Sequence, residues 1–212
     1  GNNKGQPTYS QTEMEALLIK ASTEKVLNNY DQAQELFEAI LKLNPDASVA
    51  HFELSEIYQM KQDAANTLVH AAKAVELEPD NEWYRANLAN VYFKTNQFDA
   101  AAKEYEILLE NDPNNTTYIF SLAEVYLYQG KLKETLPLYD RLEERMGFSE
   151  ELIMHKNKIH LQLGQPDSAI AEMYKLIDLN PNEPRFYGIL ADIYEEAGDS
   201  QKALETLSLI HI

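Results

Sequence analysis

The 212-residue chain carries 18 basic and 35 acidic groups, a formal net charge of −17, on a composition that is 44 % apolar. Such a surface repels the phosphate backbone of nucleic acids and the headgroups of anionic membranes, so neither is an expected partner. With no cysteine there is no disulfide, no thiolate nucleophile and no cysteine-ligated metal. No stretch reaches the roughly 18 consecutive apolar residues of a bilayer span.

Residues 1–9, GNNKGQPTY, are polar with two glycines and a proline, and predict a disordered lead. The sequence starts without Met, and this tether-like stretch together with the missing cysteines leans towards an exported placement, periplasmic or lipid-tethered, with cytoplasmic as the alternative. Ser10-Gln-Thr-Glu13 has the spacing of a capping box and opens a helix to about Leu27. Asn28-Asn29 suits a left-handed turn, and a second helix from about Asp31 to Leu43 carries Ala33, Leu36, Phe37 and Ile40 as one stripe. Asn44-Pro45 ends it, because the residue before a proline is pushed out of the helical region.

This unit of helix, tight turn, helix and Pro-marked turn then recurs. Prolines follow helical runs at 45, 79, 113 and 181, intervals of 34, 34 and 68, with Gly147 at the vacant beat. In a 34-residue frame starting at Met14 the repeats fall at 14–47, 48–81, 82–115, 116–149, 150–183 and, in part, 184–212. Position 8 stays small (Ala21, Ser55, Ala89, Ala123, Asn157, Ala191), as does position 20 (Ala33, Thr67, Ala101, Thr135, Ala169, Ala203). Position 7 reads Leu54, Leu88, Leu122 and Leu190 in the regular repeats, and position 11 reads Tyr58, Tyr92, Tyr126 and Tyr194. The turn at position 15 holds Gly130, Gly164 and Gly198, with Asn28 and Asn96 as substitutes and Gln62 as the exception.

With several columns agreeing at once, residues 14–212 resemble the tetratricopeptide repeat family, whose period and Leu-Gly, Tyr, Ala, Phe, Pro pattern they follow. The resemblance implies an all-α fold: a right-handed superhelical solenoid of antiparallel helix pairs, about twelve helices in six repeats. It also implies that the first helix of each pair, helix A, lines a concave groove through positions 2, 5, 6, 9, 12 and 13. Carried over, those positions give Phe52, Glu53, Glu56 and Gln59 in repeat two, and Trp83, Asn87, Asn90, Phe93 and Lys94 in repeat three. Repeat four gives Thr117, Phe120, Ser121, Glu124, Leu127 and Tyr128, and repeat five adds His155 and Lys158. Asn87 and Asn90 share a helical face and could bond a peptide backbone, with the aromatic residues as apolar anchors. The other reading makes these ordinary surface residues and places the partner on an edge or on the convex side. The lysine and arginine clamp that some members use for acidic chaperone tails is absent, since position 5 has no Lys and position 6 no Arg.

The departures cluster. Lys20 and Glu24 sit in core columns of repeat one, as suits a polar cap. Lys156, Asn157 and His160 replace Leu, Ala and Tyr in repeat five, so a bend or looser packing is expected near residues 145–157. Pro137 is read as lying in the first turn of its helix, where its missing amide costs little. Leu204, Leu207, Leu209 and Ile210 of the last helix need a neighbour, which points to truncation of a longer protein or to a second copy. None of the five histidines has the three- or four-residue spacing of a helical metal pair, and no Gly-rich phosphate loop or nucleophile elbow is present. The expected function is therefore a non-enzymatic interaction scaffold or adaptor, a monomer or weak homodimer, without cofactor or metal, holding a protein or peptide segment. A structural or assembly domain of a longer exported or envelope-associated protein, self-associating through its last repeat, is the competing expectation.

Overall fold

The computed structural model describes residues 10–211, so the lead expected over residues 1–9 lies outside the described residues. Twelve α-helices follow in chain order: α1 Gln11–Val26, α2 Tyr30–Leu43, α3 Ser48–Met60, α4 Ala64–Leu77, α5 Glu82–Lys94, α6 Phe98–Asn111, α7 Thr116–Tyr128, α8 Leu132–Met146, α9 Glu150–Gln162, α10 Pro166–Leu179, α11 Pro184–Glu196 and α12 Ser200–Ser208. A 3₁₀ turn, Leu209–His211, closes the series, and no strand occurs among the described residues. The odd-numbered helices are the A helices and the even-numbered ones the B helices. The chain divides into two compact units, one ending at Pro113 and the other starting at Asn114. Unit 1 contains α1 to α6 and unit 2 contains α7 to α12.

Each A and B pair is held at a crossing of small side chains. Ala21, Ser55, Ala89 and Ala123 at position 8 are fully buried, as are Ala33, Ala101, Thr135 and Ala169 at position 20. Thr67 and Thr135 satisfy their hydroxyls by donating to the carbonyls of Asp63 and Lys131 one turn back, at 2.7 and 2.8 Å. Around these crossings the core is aliphatic, with Phe37, Ile40, Leu54 and Ile57 sealed in unit 1 and Ile153, Met173, Leu176 and Leu190 in unit 2. The tyrosine columns divide: Tyr105, Tyr139 and Tyr194 are buried, whereas Tyr58, Tyr92 and Tyr126 are only half-buried. Tyr58 turns its hydroxyl outwards to donate to Glu38 at 3.0 Å, which keeps the polar end of the ring satisfied.

The A-to-B turn has one conformation in all six repeats. Position 15 is left-handed at Asn28, Gln62, Asn96, Gly130, Gly164 and Gly198, with φ between 59° and 83°. Gln62 is thus no exception in backbone, although a β-carbon there costs about 1–2 kcal/mol relative to glycine. The amide of position 16 then donates to the carbonyl of position 11, as in Asp63 N to Tyr58 O at 2.9 Å and Lys131 N to Tyr126 O at 2.9 Å. These bonds satisfy carbonyls that the helix end leaves open.

At the vacant proline beat α8 runs one residue further, to Met146, and stops on Gly147 at φ 82°, ψ 177°. With no proline at 147, Met146 is not forced out of the helix, and the reversal uses a conformation essentially reserved for glycine. The following Ser149 caps α9 by accepting from Leu152 N at 3.2 Å. Here α9 packs on α8 more sparsely than α3 on α2, α5 on α4 or α11 on α10. Pro137 lies deeper in its helix than the sequence suggests. The amide facing the cap carbonyl of Lys131 is that of Thr135, so Pro137, two residues on, removes an interior hydrogen bond.

The polar residues of repeat five are buried and paired. Lys156 is 3 % exposed and its Nζ contacts Asp140 of α8 at 2.7 Å, Glu143 of α8 at 2.9 Å and Glu172 of α10 at 2.9 Å. Lys175 adds a second ammonium, 3.3 Å from Glu143 and 3.0 Å from Glu172. Burial works against the charge of Lys156, but the three carboxylates outweigh it and hold its pKa above that of an ordinary lysine. Asn157 donates to the carbonyl of Ala169 at 2.8 Å. His160, expected in the core, is half-buried at its edge, with Nδ1 2.8 Å from Gln165 Oε1.

Candidate functional site

The A helices of each unit present positions 2, 5, 6, 9, 12 and 13 outwards. In unit 1 this face is part apolar shelf and part ion clamp. Ile19 and Val26 of α1 are 69 % and 79 % exposed, Met60 of α3 is 61 % exposed and Trp83 of α5 is 78 % exposed. Between α1 and α3 the ammonium of Lys25 bridges Glu53, at 2.5 Å, and Glu56. Burial opposes its charge, yet the two carboxylates raise its pKa above the usual lysine value. Two of the acidic residues expected to meet a partner are therefore already engaged by the chain itself.

Several other expected residues are similarly occupied. Asn87 Nδ2 donates to Ser55 Oγ at 2.8 Å, and Ser55, fully buried, donates in turn to the carbonyl of Phe52 at 2.7 Å. Phe52 stacks on the buried ring of Tyr84, with centroids 5.0 Å apart. Phe93 is half-buried with its ring edge-on to Phe98 at 5.8 Å. Asn90 is half-buried with no side-chain partner among the described residues, and Lys94 is exposed. Asn87 thus ties α5 to α3 and leaves Asn90 as the available amide, where the sequence pairs the two.

In unit 2, Phe120 is 45 % exposed and Tyr128 is 63 % exposed, with Ser121 half-buried and Glu124 exposed. Phe120 and Ser121 line a cleft of about 340 Å³ together with Thr117 of α7, Leu142 and Met146 of α8, and Leu152 of α9. His155 and Lys158 border a second hollow, beside Leu127.

Sequence reasoning missed Ile19 and Val26, because Lys20 and Glu24 mark the first repeat as a polar cap. Their signal was available, since both are large apolar residues at positions that the family resemblance assigns to the groove. It also missed the contact of His51 with His70. Their Nδ1 atoms lie 2.9 Å apart, and His51 Nε2 is 3.0 Å from the carbonyl of Pro45. That carbonyl requires the proton of His51 on Nε2, so Nδ1 of His51 accepts from Nδ1–H of His70. Burial, then the charge of His51, lowers the pKa of His70. Among the described residues no group of three or more His, Asp or Glu is placed to hold a metal ion, and no helix is long and apolar enough to cross a membrane.

Comparison with known proteins decides the family. A family model described as tetratricopeptide repeat matches residues 60–125 and 160–210, and a second model of the same description matches residues 20–81. The chain belongs to the tetratricopeptide repeat family. Anaphase-promoting complex subunit 3 of Schizosaccharomyces pombe is 25 % identical over 92 % of this chain and 29 % of its own length. The repeat-containing protein YpiA of Bacillus subtilis is 24 % identical over 68 % of this chain and 34 % of its own length. The chain therefore spans about a third or less of these relatives. Among solved structures, YrrB, described as a tetratricopeptide repeat protein with an unusual peptide-binding site, superposes with a TM-score of 0.67 at 18 % identity, covering 79 % of this chain and 86 % of that one. A repeat protein from Parabacteroides merdae gives 0.67 at 17 % identity over 93 % of this chain and 78 % of that one. At these identities the likeness is one of fold.

Proposed function

We propose that this chain is a non-enzymatic protein–protein interaction scaffold whose A helices hold an extended or helical segment of a partner. The observation that carries this reading is the placement of exposed apolar side chains at groove positions of successive A helices. Ile19, Val26, Met60 and Trp83 do so in unit 1, and Phe120 and Tyr128 in unit 2. Exposed apolar surface is what interaction sites offer, and aromatic anchors dominate such contacts.

The test is affinity capture of a partner followed by titration of that purified partner against the chain and its variants. Trp83→Ala with Asn90→Ala, and separately Phe120→Ala with Tyr128→Ala, are expected to weaken binding at least tenfold in one or both pairs. Asn87 is avoided because its loss would strip Ser55 of its bond. Wild-type affinity in both double variants would refute the reading.

A second reading rests on α12, where Leu204 is 70 % exposed and Leu207 is 41 % exposed. An assembly role through this face predicts a concentration-dependent dimer in light scattering that Leu207→Glu abolishes. A monomer at all concentrations would refute it.

A further inference from the structure

The cleft of unit 2 differs from the rest of the A-helix surface. Its floor is Leu142, only 1 % exposed, and its walls are Phe120 from α7, Met146 from α8 and Leu152 from α9. It lies at the vacant proline beat. The extra residue of α8 carries Met146 to the rim, Gly147 reverses the chain without a side chain, and α9 packs loosely on α8. At about 340 Å³ it takes one aromatic or branched aliphatic side chain.

The one charged residue among those lining it is acidic. Glu151 of α9 lines the cleft, and Glu124 of α7 lies exposed one turn beyond Ser121. Neither has a cationic partner among the described residues, whereas Glu143, Glu150 and Glu172 of the same unit are bridged by Lys156, Arg185 and Lys175. Both reinforce the rise that burial imposes on the phenol pKa of Tyr139. His155 stands against the same ring at 5.8 Å.

We infer that this cleft is a binding site for a linear segment of a partner protein that inserts one bulky apolar side chain between Phe120 and Met146 and sets an adjacent Lys or Arg against Glu151 and Glu124. The inference rests on the interaction reading above and narrows it to unit 2 and to a basic, apolar-anchored class of partner. A desolvated apolar anchor supplies affinity, and the unpaired carboxylates select against acidic segments and accelerate encounter.

The probe is a random twelve-residue peptide display library selected on the full chain, followed by fluorescence anisotropy of the enriched peptides. Enriched sequences are expected to place an aromatic or Leu, Ile or Met beside Lys or Arg. Ser121→Trp, which fills the cleft from its wall, should weaken them at least tenfold. Glu124→Gln with Glu151→Gln should weaken them several-fold and flatten their salt dependence. Circular dichroism of each variant checks that the helices persist, and the Gln pair, with no change in bulk, stands in if Ser121→Trp fails to fold. Enrichment of acidic or anchorless peptides, or affinity unchanged by both sets of variants, overturns the inference. Peptides that lose binding on Trp83→Ala with Asn90→Ala but not on either cleft variant overturn it while upholding the interaction reading. Enrichment of no peptide overturns it as well, and binding of a second copy instead, seen by light scattering, does the same.

Discussion

Replacing Lys156 by Met tests whether the polar core of repeat five is held by charge. The two side chains are similar in length, so the packing of the stem is kept and the ammonium is lost. Lys156 is 3 % exposed and contacts three carboxylates within 2.9 Å. Without it, Glu143 and Glu172 share only Lys175, and Glu143 Oε1 already lacks a hydrogen-bond partner. Removing one member of a buried ion cluster strands charge in low dielectric and costs about 3–5 kcal/mol. For a chain of this size that corresponds to a fall in Tm of roughly 6–20 °C, at about 2–4 °C per kcal/mol. Thermal denaturation followed by circular dichroism reads the loss. Hydrogen exchange across α8 to α10 locates it, which matters because a repeat array can unfold in parts. Replacing its three buried members, Lys156→Leu with Glu143→Met and Glu172→Met, removes their desolvation cost together with the attraction and leaves the more exposed Asp140 and Lys175 to solvent. That variant is expected to lie between wild-type stability and a gain of about 1–4 kcal/mol. A Lys156→Met protein within about 1 kcal/mol of wild type would refute the reasoning.

Two further perturbations follow from the backbone and from the histidine pair. Gly147→Ala meets no atom within 4 Å at its new β-carbon, so its expected loss of about 1–3 kcal/mol is purely conformational; denaturant melting that shows no loss would contradict it. His70 is held neutral in the fold, with its pKa below the ordinary histidine value through burial and then His51. Above both the folded and unfolded pKa values its contribution is complete. As pH falls through about 6.5 the unfolded chain takes up a proton that the fold resists, and stability drops. The Tm difference between pH 7.5 and 5.5 should therefore be smaller in His70→Gln than in wild type, and equal differences would count against the pair.

The elements were legible because backbone-restricting residues mark them. Prolines at 45, 79, 113 and 181 and the small residues at positions 8 and 20 carry the whole helix order. Even Gln62 adopts the left-handed turn of its neighbours, since the shared bond pattern outweighs its β-carbon. Side-chain pairing was not legible. Lys25 meets Glu53 and Glu56 from 28 and 31 residues away, and no periodicity tells such a pair from three solvated charges. Glu53 and Glu56 consequently read as partner contacts when they are largely spoken for. The cleft beside Phe120 was half-visible: the vacant beat at Gly147 announced an irregularity, but its shape depends on how far α8 continues, which the end of a helix in sequence does not fix. Pro137 misleads likewise, because Lys131 makes no side-chain cap that would mark where α8 begins.

The ion cluster around Lys156 has a consequence for how the repeats find one another during folding. Units that share one core pattern have no apolar means of telling a correct neighbour from an incorrect one, because a Leu column accepts any other. Lys156 is matched by helices that bring carboxylates to it, as α8 does with Asp140 and Glu143 and α10 with Glu172. A helix paired out of order would bury that ammonium without counter-charge, at a cost of several kcal/mol. The fifth repeat thus carries an address written in charge, as the Lys25 clamp on Glu53 and Glu56 does between α1 and α3.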